Sequence, residues 1–202
     1  MVLMDFNDCT LYYWSACEKF TGRATAIMHM LEHTCTKYQV KGTDDAPGIG
    51  KRFFAVPAVE LKNGVVLSQA PAIHEAIGKF YGLYPTGGQA EEAQALMCAL
   101  NAADIVSDSD KFKDKPERRA KWLSVMENTL ASTPTTRYMV GAQLTYADFS
   151  CFYVLEAVLQ DAAAAEYPLL TKWVAMMNEL PRIKAFKKKQ EEKGVVLYPK
   201  GS

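Results

Sequence analysis

The chain has 202 residues, of which 49% are apolar, 11% aromatic and 23% charged. These fractions are typical of a globular protein and exclude a collagen-like, low-complexity or disordered chain. The 23 basic and 23 acidic residues balance to a formal charge of zero. Proteins that bind nucleic acid usually carry a basic surplus, because phosphate contacts supply most of their affinity. We therefore expect no nucleic-acid partner.

The apolar stretches and the cysteines indicate where in the cell the protein is expected. Charged residues interrupt every apolar stretch before the roughly 20 residues that span a bilayer, so we expect no membrane partner. The N-terminus carries Asp5 and Asp8 where a secretory signal would be basic and then apolar. Five cysteines without a Cys-x-x-Cys pair favour reduced thiols and a cytoplasmic location. His29 and His33 lack the H-E-x-x-H arrangement of a metal site, which favours two partly exposed helical histidines.

Strand and helix signals alternate over the first 85 residues. In chain order we predict a strand at 10–14, a turn-rich segment at 15–22, a helix at 23–34, a strand at 38–41, a loop at 42–50, strands at 56–61 and 65–67, and a helix at 70–82. Asn63-Gly64 lies between two apolar runs, which predicts a hairpin with a type I′ turn. This half of the chain therefore reads as a βαβ-ββα unit.

Helical patterns fill the remainder of the chain. Helices are predicted at 91–106, 116–130, 145–160, 167–180 and 181–193, with Pro, Gly or Asp clusters between them. Thr145 and Asp148 have the spacing of a capping box at the start of the third of these helices. The fold class is thus α/β plus all-α, with domains at 1–84 and 85–202.

Several segments, in order, resemble motifs of the cytosolic glutathione S-transferases. They are TLYYW at 10–14, GRA at 22–24 with the helix and strand that follow to 39, VP at 56–57 with SQAPAI at 68–73, GAQLTYADF at 141–149, and YPLLTKW at 167–173 with LP at 180–181. The Tyr-type classes are the most similar, the sigma class above all. The resemblance implies a thioredoxin-like domain before a helical bundle, glutathione as co-substrate, no metal, and a homodimer.

The resemblance implies a catalytic role for Tyr13. A free thiol has a pKa near 8.5, and lowering it by about two units requires roughly 2.7 kcal/mol of preference for the thiolate. One hydrogen bond to a charged acceptor supplies about that amount. Tyr13 occupies the family's tyrosine position at the end of the first strand, and it would also contact glutathione. Tyr12 points to the other face by strand alternation and suits a structural role.

A second register remains open in the loop that follows. By comparison with the family, about four extra residues separate Tyr13 from Gly22. Classes that use serine or cysteine carry the reactive group slightly later, at the start of the first helix, and there Cys17, with Ser15 nearby, is the match. A cysteine nucleophile would form a mixed disulfide with glutathione, which predicts an omega-like thiol transferase or a glutathione-dependent isomerase or peroxidase.

Four residues of the first half would bind the glutathione backbone. Pro57 resembles the family's cis-proline, which exposes the Val56 N–H and C=O to the cysteinyl part of the peptide. Gln69 and Ala70 stand where the family has Gln-Ser or Glu-Ser at a helix N-terminus, which binds the γ-glutamyl carboxylate. Alanine removes one hydroxyl donor, so we expect weakened glutathione binding.

Charged residues are predicted at both ends of the peptide. Lys51, with Arg52 as the alternative, is a candidate for the glycyl carboxylate. At the positions of Asp104 and Asp108 the family carries an Asp-x-x-x-Asp run, and one of its acids reaches the glutathione bound to the partner subunit. Asp108 is the first choice for this role and Asp104 the alternative.

The acceptor substrate would bind between the two halves of the chain. Trp14, Phe20 and Met97 are candidate lining residues. The function that the resemblance implies is conjugation of the glutathione thiolate to a small hydrophobic electrophile in detoxification. A non-catalytic binding or interaction protein is a further alternative, because Ala70 and the enlarged loop depart from the family pattern.

Overall fold

The structure is a computed structural model, and it describes residues 4–46, 48–159 and 164–197. This part of the chain contains four strands and seven α-helices, joined by loops and short 3-10 turns. They are β1 Cys9–Tyr12, α1 Thr25–His33, β2 Tyr38–Lys41, β3 Ala58–Glu60, β4 Val66–Ser68, α2 Ala70–Tyr81, α3 Gln89–Asp108, α4 Pro116–Ala131, α5 Tyr146–Val158, α6 Pro168–Asn178 and α7 Pro181–Glu192. Every predicted strand and helix is present, with ends that differ by a few residues. Residue 160, the predicted end of α5, lies outside the described residues.

The four strands form one mixed sheet in the order β2-β1-β3-β4. β2 runs parallel to β1, while β3 is antiparallel to both β1 and β4. Leu11 in the central strand is fully buried and pairs with Val40 on one side and Val59 on the other. Helix α1 provides the crossover that a parallel β1–β2 pair requires. This is the predicted thioredoxin-like arrangement.

The β3–β4 hairpin is present, but its predicted turn type is wrong. A type I′ turn needs positive φ at both central residues, whereas among these residues only Gly64 has it, at 80°. The N–H of Gly64 donates to the Leu61 carbonyl, and Leu61 in turn donates its N–H to the Val65 carbonyl, both at 2.9 Å. The connection is therefore a three-residue loop that ends in a left-handed glycine. It needs one glycine rather than two residues with positive φ.

Helix α5 is the centre of the helical half. It is buried along almost its whole length and packs against α1, α2, α3 and α6. Its large side chains, such as Phe149 and Phe152, are fully buried, as expected for a helix that is apolar on all sides. The N–H of Tyr146 donates to the Leu83 carbonyl at 2.8 Å, which ties the start of α5 to the segment between α2 and α3. The two halves therefore share one continuous core.

The predicted exposure of the α1 histidines is wrong for His29. Its side chain is fully buried between the rings of Phe152 and Phe186, because α5 and α7 cover this face of α1. His33 is half-buried and contacts Phe149. Within the described ranges, no helix is both long enough and apolar enough to cross a membrane.

Candidate functional site

Tyr13 lies directly after β1, where the chain leaves the sheet. Its N–H donates to the Lys41 carbonyl of β2 at 3.1 Å, which fixes the residue at the strand end. The side chain is only 4% exposed, and its ring packs edge-to-face against Phe20. The hydroxyl oxygen accepts the backbone N–H of Arg23 at 3.0 Å. The phenol is thus held against the turn that leads into α1.

The chain geometry at Gly22 permits this contact. Gly22 has a φ of 44°, and a Cβ added there would lie 2.6 Å from the Tyr13 hydroxyl oxygen. A side chain at position 22 would therefore displace the phenol. An N–H that donates to a phenol oxygen stabilises negative charge on it, and so makes the O–H a stronger donor to an anion.

Tyr12 has different surroundings from its neighbour. Its hydroxyl donates to the Glu60 carboxylate at 2.7 Å. Burial, followed by this bond to a carboxylate, raises the pKa of Tyr12 to about 12. Tyr12 therefore keeps its proton at neutral pH and links β1 to β3.

The surroundings of Cys17 weigh against a nucleophilic role. The side chain is 5% exposed, and burial raises the pKa of its thiol to about 12. Such a thiol is protonated at neutral pH, whereas the nucleophile is the thiolate. The register that favoured Cys17 and Ser15 also placed them at the start of the first helix. In the structure a separate turn, Gly22–Ala24, follows this loop, and α1 begins only at Thr25.

The peptide bond between Val56 and Pro57 is cis, as predicted. Pro57 leads directly into β3, which begins at Ala58. In the part of the chain that the structure describes, no protein group hydrogen-bonds to the Val56 N–H or C=O. These two groups suit an extended peptide that pairs with them as an added strand.

Gln69 and Ala70 form the N-terminal end of α2, close to the end of β4. Gln69 is exposed and has a φ of 69°, a region that costs a non-glycine residue of order 1–2 kcal/mol. Ala70 is buried as the first residue of α2, and Pro71 follows it. The free N–H groups of this helix end favour a bound anion. A strained residue at such a position supports a role in ligand binding.

The candidate cations lie on an exposed turn. Lys51 and Arg52 are both exposed, and neither forms an ion pair with another described residue. The turn is held by the Gly48 carbonyl, which accepts the N–H groups of Lys51 and Arg52 at 3.0 and 2.6 Å. The role of Lys51 in binding the glycyl carboxylate stays a prediction.

Asp108 is bonded extensively within its own chain. Its Oδ2 accepts Trp122 Nε1 at 3.0 Å and Arg118 Nε at 2.6 Å, and its Oδ1 accepts Lys111 Nζ at 3.1 Å. These bonds, Trp122 first and Arg118 next, hold the pKa of the carboxyl well below its usual range. Asp104, one turn earlier on α3, is exposed. The structure therefore favours Asp104 for the intermolecular role first given to Asp108, and that role stays a prediction.

The turn Gly22–Ala24, which holds the Tyr13 hydroxyl, also contacts the helical half. The guanidinium of Arg23 donates to Ser107 Oγ at 3.0 Å, so the last turn of α3 lies beside the loop that holds Tyr13. Sequence reasoning missed this link, because residues 23 and 107 share no local pattern. Of the candidate lining residues, Phe20 contacts Tyr13, whereas Trp14 and Met97 are each 48% exposed. In residues 4–46, 48–159 and 164–197, no group of three His, Cys, Asp or Glu could hold a metal ion.

Comparisons with known proteins match the helical half by sequence and the whole fold by structure. Residues 101–190 match the family model described as glutathione S-transferase, C-terminal domain. A glutathione S-transferase of Plasmodium yoelii yoelii is 27% identical over 144 residues, which cover 66% of this chain and 68% of that protein. The Pi-class glutathione S-transferase of Onchocerca volvulus has a similar structure, with a TM-score of 0.79 and 19% identity over 96% of this chain and 98% of that one.

Two further solved structures share the fold. The glutathione S-transferase of Ascaris lumbricoides gives a TM-score of 0.75 at 23% identity and covers 90% of this chain and 97% of that one. The structure described as prostaglandin synthase D of Nilaparvata lugens gives a TM-score of 0.72 at 19% identity and covers 91% of this chain and 98% of that one. At these identities the solved structures show the fold alone.

Proposed function

We propose that this chain, which belongs to the cytosolic glutathione S-transferase superfamily, is a glutathione transferase that joins the glutathione thiolate to small hydrophobic electrophiles. Tyr13 would donate its hydroxyl proton in a hydrogen bond to the thiolate. Detoxification is the role that this chemistry suits. A cytoplasmic location belongs to the same proposal, because the five unpaired cysteines suit a reducing compartment.

The contact between the Tyr13 hydroxyl and the Arg23 N–H carries this proposal. It orients the phenol and strengthens it as a donor at the strand end, where β1 leads into α1. The free Val56 backbone and the strained N-terminus of α2 suit the two ends of a γ-glutamyl-cysteinyl peptide. In contrast, Cys17 is buried and protonated, which weighs against the thiol-transferase alternative.

Replacement of Tyr13 by phenylalanine tests the proposed function. We expect the wild-type protein to be retained on glutathione resin and to conjugate a chloronitrobenzene. Tyr13→Phe should reduce kcat/KM about 10- to 100-fold at pH 6.5, because loss of one charge-assisted bond raises the pKa of the bound thiol by about one to two units. The pH dependence of kcat/KM measures that pKa directly.

Cys17→Ala is the matched control for the alternative chemistry. We expect it to conjugate at the wild-type rate, and a protein that reduces mixed disulfides only when Cys17 is present would be a thiol transferase instead. A wild-type protein that does not bind millimolar glutathione would be an interaction protein. Conjugation and thiol pKa that are unchanged in Tyr13→Phe would exclude Tyr13 as the activating group.

Ala70→Ser tests the binding of the γ-glutamyl carboxylate. The serine hydroxyl would add one donor at the N-terminus of α2, and a bond to a charged group contributes roughly 1.5 kcal/mol. We therefore expect the Kd of glutathione to fall about tenfold, with little change in kcat. Titration calorimetry measures the Kd, and Ala72→Ser, placed in the same helix turn, is the control. An unchanged Kd would contradict this placement of the carboxylate.

The exposed face of α3 supports a homodimer. Leu96, Met97 and Leu100 form an apolar stripe on this helix, each at least 38% exposed, and Asp104 continues it. Exposed apolar stripes of this kind mark interaction surfaces. A second copy of this chain that packs here would bring Asp104 towards the partner's bound glutathione.

Substitution of the two acids separates their roles. Asp104→Ala should raise the KM for glutathione about tenfold, because one charged contact to the γ-glutamyl ammonium is lost, while the urea midpoint stays unchanged. Asp108→Ala should lower the urea midpoint, since Trp122 and Arg118 lose their acceptor. Steady-state kinetics and urea unfolding on both variants give the comparison. The reverse pattern would assign the intermolecular contact to Asp108.

A further inference from the structure

The C-terminal segment Val195–Leu197 contacts the loop between Tyr13 and α1. Val196 forms a parallel bridge with Phe20. Its N–H donates to the Lys19 carbonyl and its carbonyl accepts the Thr21 N–H, both at 3.0 Å. The segment therefore returns from the end of α7, in the helical half, and adds a short strand to the loop that follows Tyr13.

Two buried threonines join this segment to the turn before α1. Thr21 and Thr25 are 0% and 1% exposed, and their hydroxyl oxygens lie 2.6 Å apart. The Leu197 carbonyl lies 2.8 Å from the first hydroxyl and 2.7 Å from the second. Thr25 Oγ1 is also 2.7 Å from the Gly22 carbonyl. Residues distant in sequence thus meet in one partly buried cluster of hydrogen bonds.

This cluster is sensitive to the loss of either hydroxyl. The two hydroxyl groups have only two protons to donate. Their possible acceptors are the Gly22 carbonyl, the Leu197 carbonyl and the other hydroxyl, so each proton has more than one acceptor within reach. The Gly22 carbonyl is buried, and a buried carbonyl that loses its donor carries the cost of its desolvation. The same turn supplies the Arg23 N–H, and the Ala24 N–H donates to the Thr21 carbonyl at 2.8 Å. The cluster therefore fixes the backbone on both sides of Arg23.

The loop does not hold its conformation through local preference. Ser15, Ala16 and Cys17 have φ values of 46°, 49° and 59°, a run of three non-glycine residues in the left-handed region. Left-handed geometry costs roughly 1–2 kcal/mol for each such residue. Contacts from elsewhere must offset that cost: the strained run packs against β2 and the turn Thr43–Asp45, and the C-terminal segment pairs with the residues that follow it, Lys19–Thr21.

We propose that the C-terminal segment Val195–Leu197 is part of the active site: through Thr21 and Thr25 it fixes the turn at Gly22 and Arg23, and so holds the Arg23 N–H on the Tyr13 hydroxyl. Thr21 and Thr25 are positioning residues, because they act through Arg23 and not on the substrate. This inference rests on the proposed function for the role of Tyr13 in catalysis. The coupling itself is a property of the free protein.

The ionisation of Tyr13 in the absence of glutathione tests this coupling. Ultraviolet difference titration of each variant, with and without an added Tyr13→Phe, isolates the Tyr13 phenol from the other tyrosines. Thr21→Val and Thr25→Val, singly and together, should raise the Tyr13 pKa by about 0.5–1 unit, as expected for one weakened hydrogen bond. Thr21→Ser and Thr25→Ser keep the hydroxyls and should retain the wild-type value.

A backbone variant tests the segment without altering the threonines. Val196→Pro removes the N–H that donates to Lys19 and should also raise the Tyr13 pKa, whereas Val196→Ala keeps the N–H and should not. Conjugation should show a lower kcat and a raised pKa of the bound thiol, with the KM for glutathione nearly unchanged. Circular dichroism establishes that each variant is folded.

The two proposals fail in different ways. A Tyr13 pKa that stays constant in the valine and proline variants, while their unfolding midpoints fall, would reduce the threonines to a structural role and overturn this inference. A shifted Tyr13 pKa in a protein that neither binds nor conjugates glutathione would overturn the proposed function and leave the coupling intact. The first result does not depend on any substrate.

Discussion

Asp148→Ala should lower the free energy of unfolding by about 3–5 kcal/mol, because several buried donors lose their acceptor at a cost of about 1–3 kcal/mol each. The Asp148 carboxylate is fully buried and accepts four donors. Oδ1 accepts the Met139 N–H at 2.8 Å and Trp173 Nε1 at 3.2 Å, while Oδ2 accepts the N–H and hydroxyl of Thr145 at 2.9 and 3.3 Å. Alanine would leave these donors without an acceptor.

Asp148→Asn gives a graded comparison with alanine. The amide oxygen can replace one carboxylate oxygen, but the NH₂ group then faces donors, so we expect a smaller loss of about 2–3 kcal/mol. Asp110→Ala, at an exposed position, is the control and should change the stability by less than about 0.5 kcal/mol. Urea unfolding at pH 7 measures all three variants.

The activity of these variants separates folding from catalysis. Asp148 lies in the capping contact at the start of α5 and makes none of the contacts of Tyr13 described above. We expect the folded fraction of Asp148→Asn to keep a specific activity near that of the wild type. A large loss of kcat without a change in the urea midpoint would show that Asp148 acts in the reaction instead.

Much of the fold could be predicted from local sequence, for identifiable reasons. Periodicity, Pro and Gly positions and the Thr145–Asp148 spacing each report on a few neighbouring residues, and the capping contact between them is present at 2.9 Å. The hairpin at Asn63-Gly64 was predicted for the same reason. Its turn type was wrong because the dipeptide also fits a three-residue loop with a left-handed glycine.

The site was predictable only where local motifs carry it. The cis bond before Pro57 and the helix start at Ala70 belong to short motifs, and both are present. In contrast, the contact between Arg23 and Ser107 joins residues that no local pattern connects. The bond between Thr21 and Leu197 spans most of the chain. Such contacts depend on how the two halves pack, which periodicity does not encode.

Tertiary contacts give two titratable residues surroundings that the local sequence does not indicate. His29 was predicted to be partly exposed, but α5 and α7 cover that side of α1 and bury it fully. The resemblance made Asp108 the first choice for contact with the partner subunit's glutathione, and that role stays a prediction. In the structure Arg118 and Trp122 of α4 bond its carboxylate, and their distance in sequence hides that pairing.

Acid should destabilise the protein through two buried histidines that sit between the halves. His74 Nδ1 lies 2.8 Å from Ser150 Oγ of α5, and Ser150 donates its own proton to the Tyr146 carbonyl, so His74 carries its proton on Nδ1. His74 Nε2 and both ring nitrogens of His29 have no partner within the described residues. Protonation of either ring would place a positive charge in a buried site where the added N–H has no hydrogen-bond acceptor among the described residues.

The direction of the pH dependence follows from these environments. Burial lowers the pKa of His29 and of His74 to about 3, with Lys187 adding to the effect at His29. The unfolded chain binds protons at both histidines below pH 6.5, while the folded protein does not, so stability is lost as the pH falls from 6.5 towards 3. Between pH 7.5 and 5 the two histidines together lower the free energy of unfolding by about 4 kcal/mol.

One buried carboxyl opposes this loss. Burial raises the pKa of Asp148 to about 6, so the folded protein takes up a proton there before the unfolded chain does, which returns about 1.4 kcal/mol by pH 5. The net loss is then about 3 kcal/mol. Urea unfolding at pH 7.5, 6 and 5, at one protein concentration, measures it.

Substitution of the histidines tests their share of the acid sensitivity. His74→Gln keeps a polar partner for Ser150, and His29→Leu fills the apolar space between Phe152 and Phe186; both remove a proton site. The double variant should lose little or no stability between pH 7.5 and 5, because the gain at Asp148 then opposes only the smaller loss at His33, whose pKa is also lowered by burial. His33→Gln, at the half-buried histidine, should change the slope less than either single variant does. An acid sensitivity that persists in the double variant would assign it to other groups, and the contact between the halves would then not depend on neutral histidines.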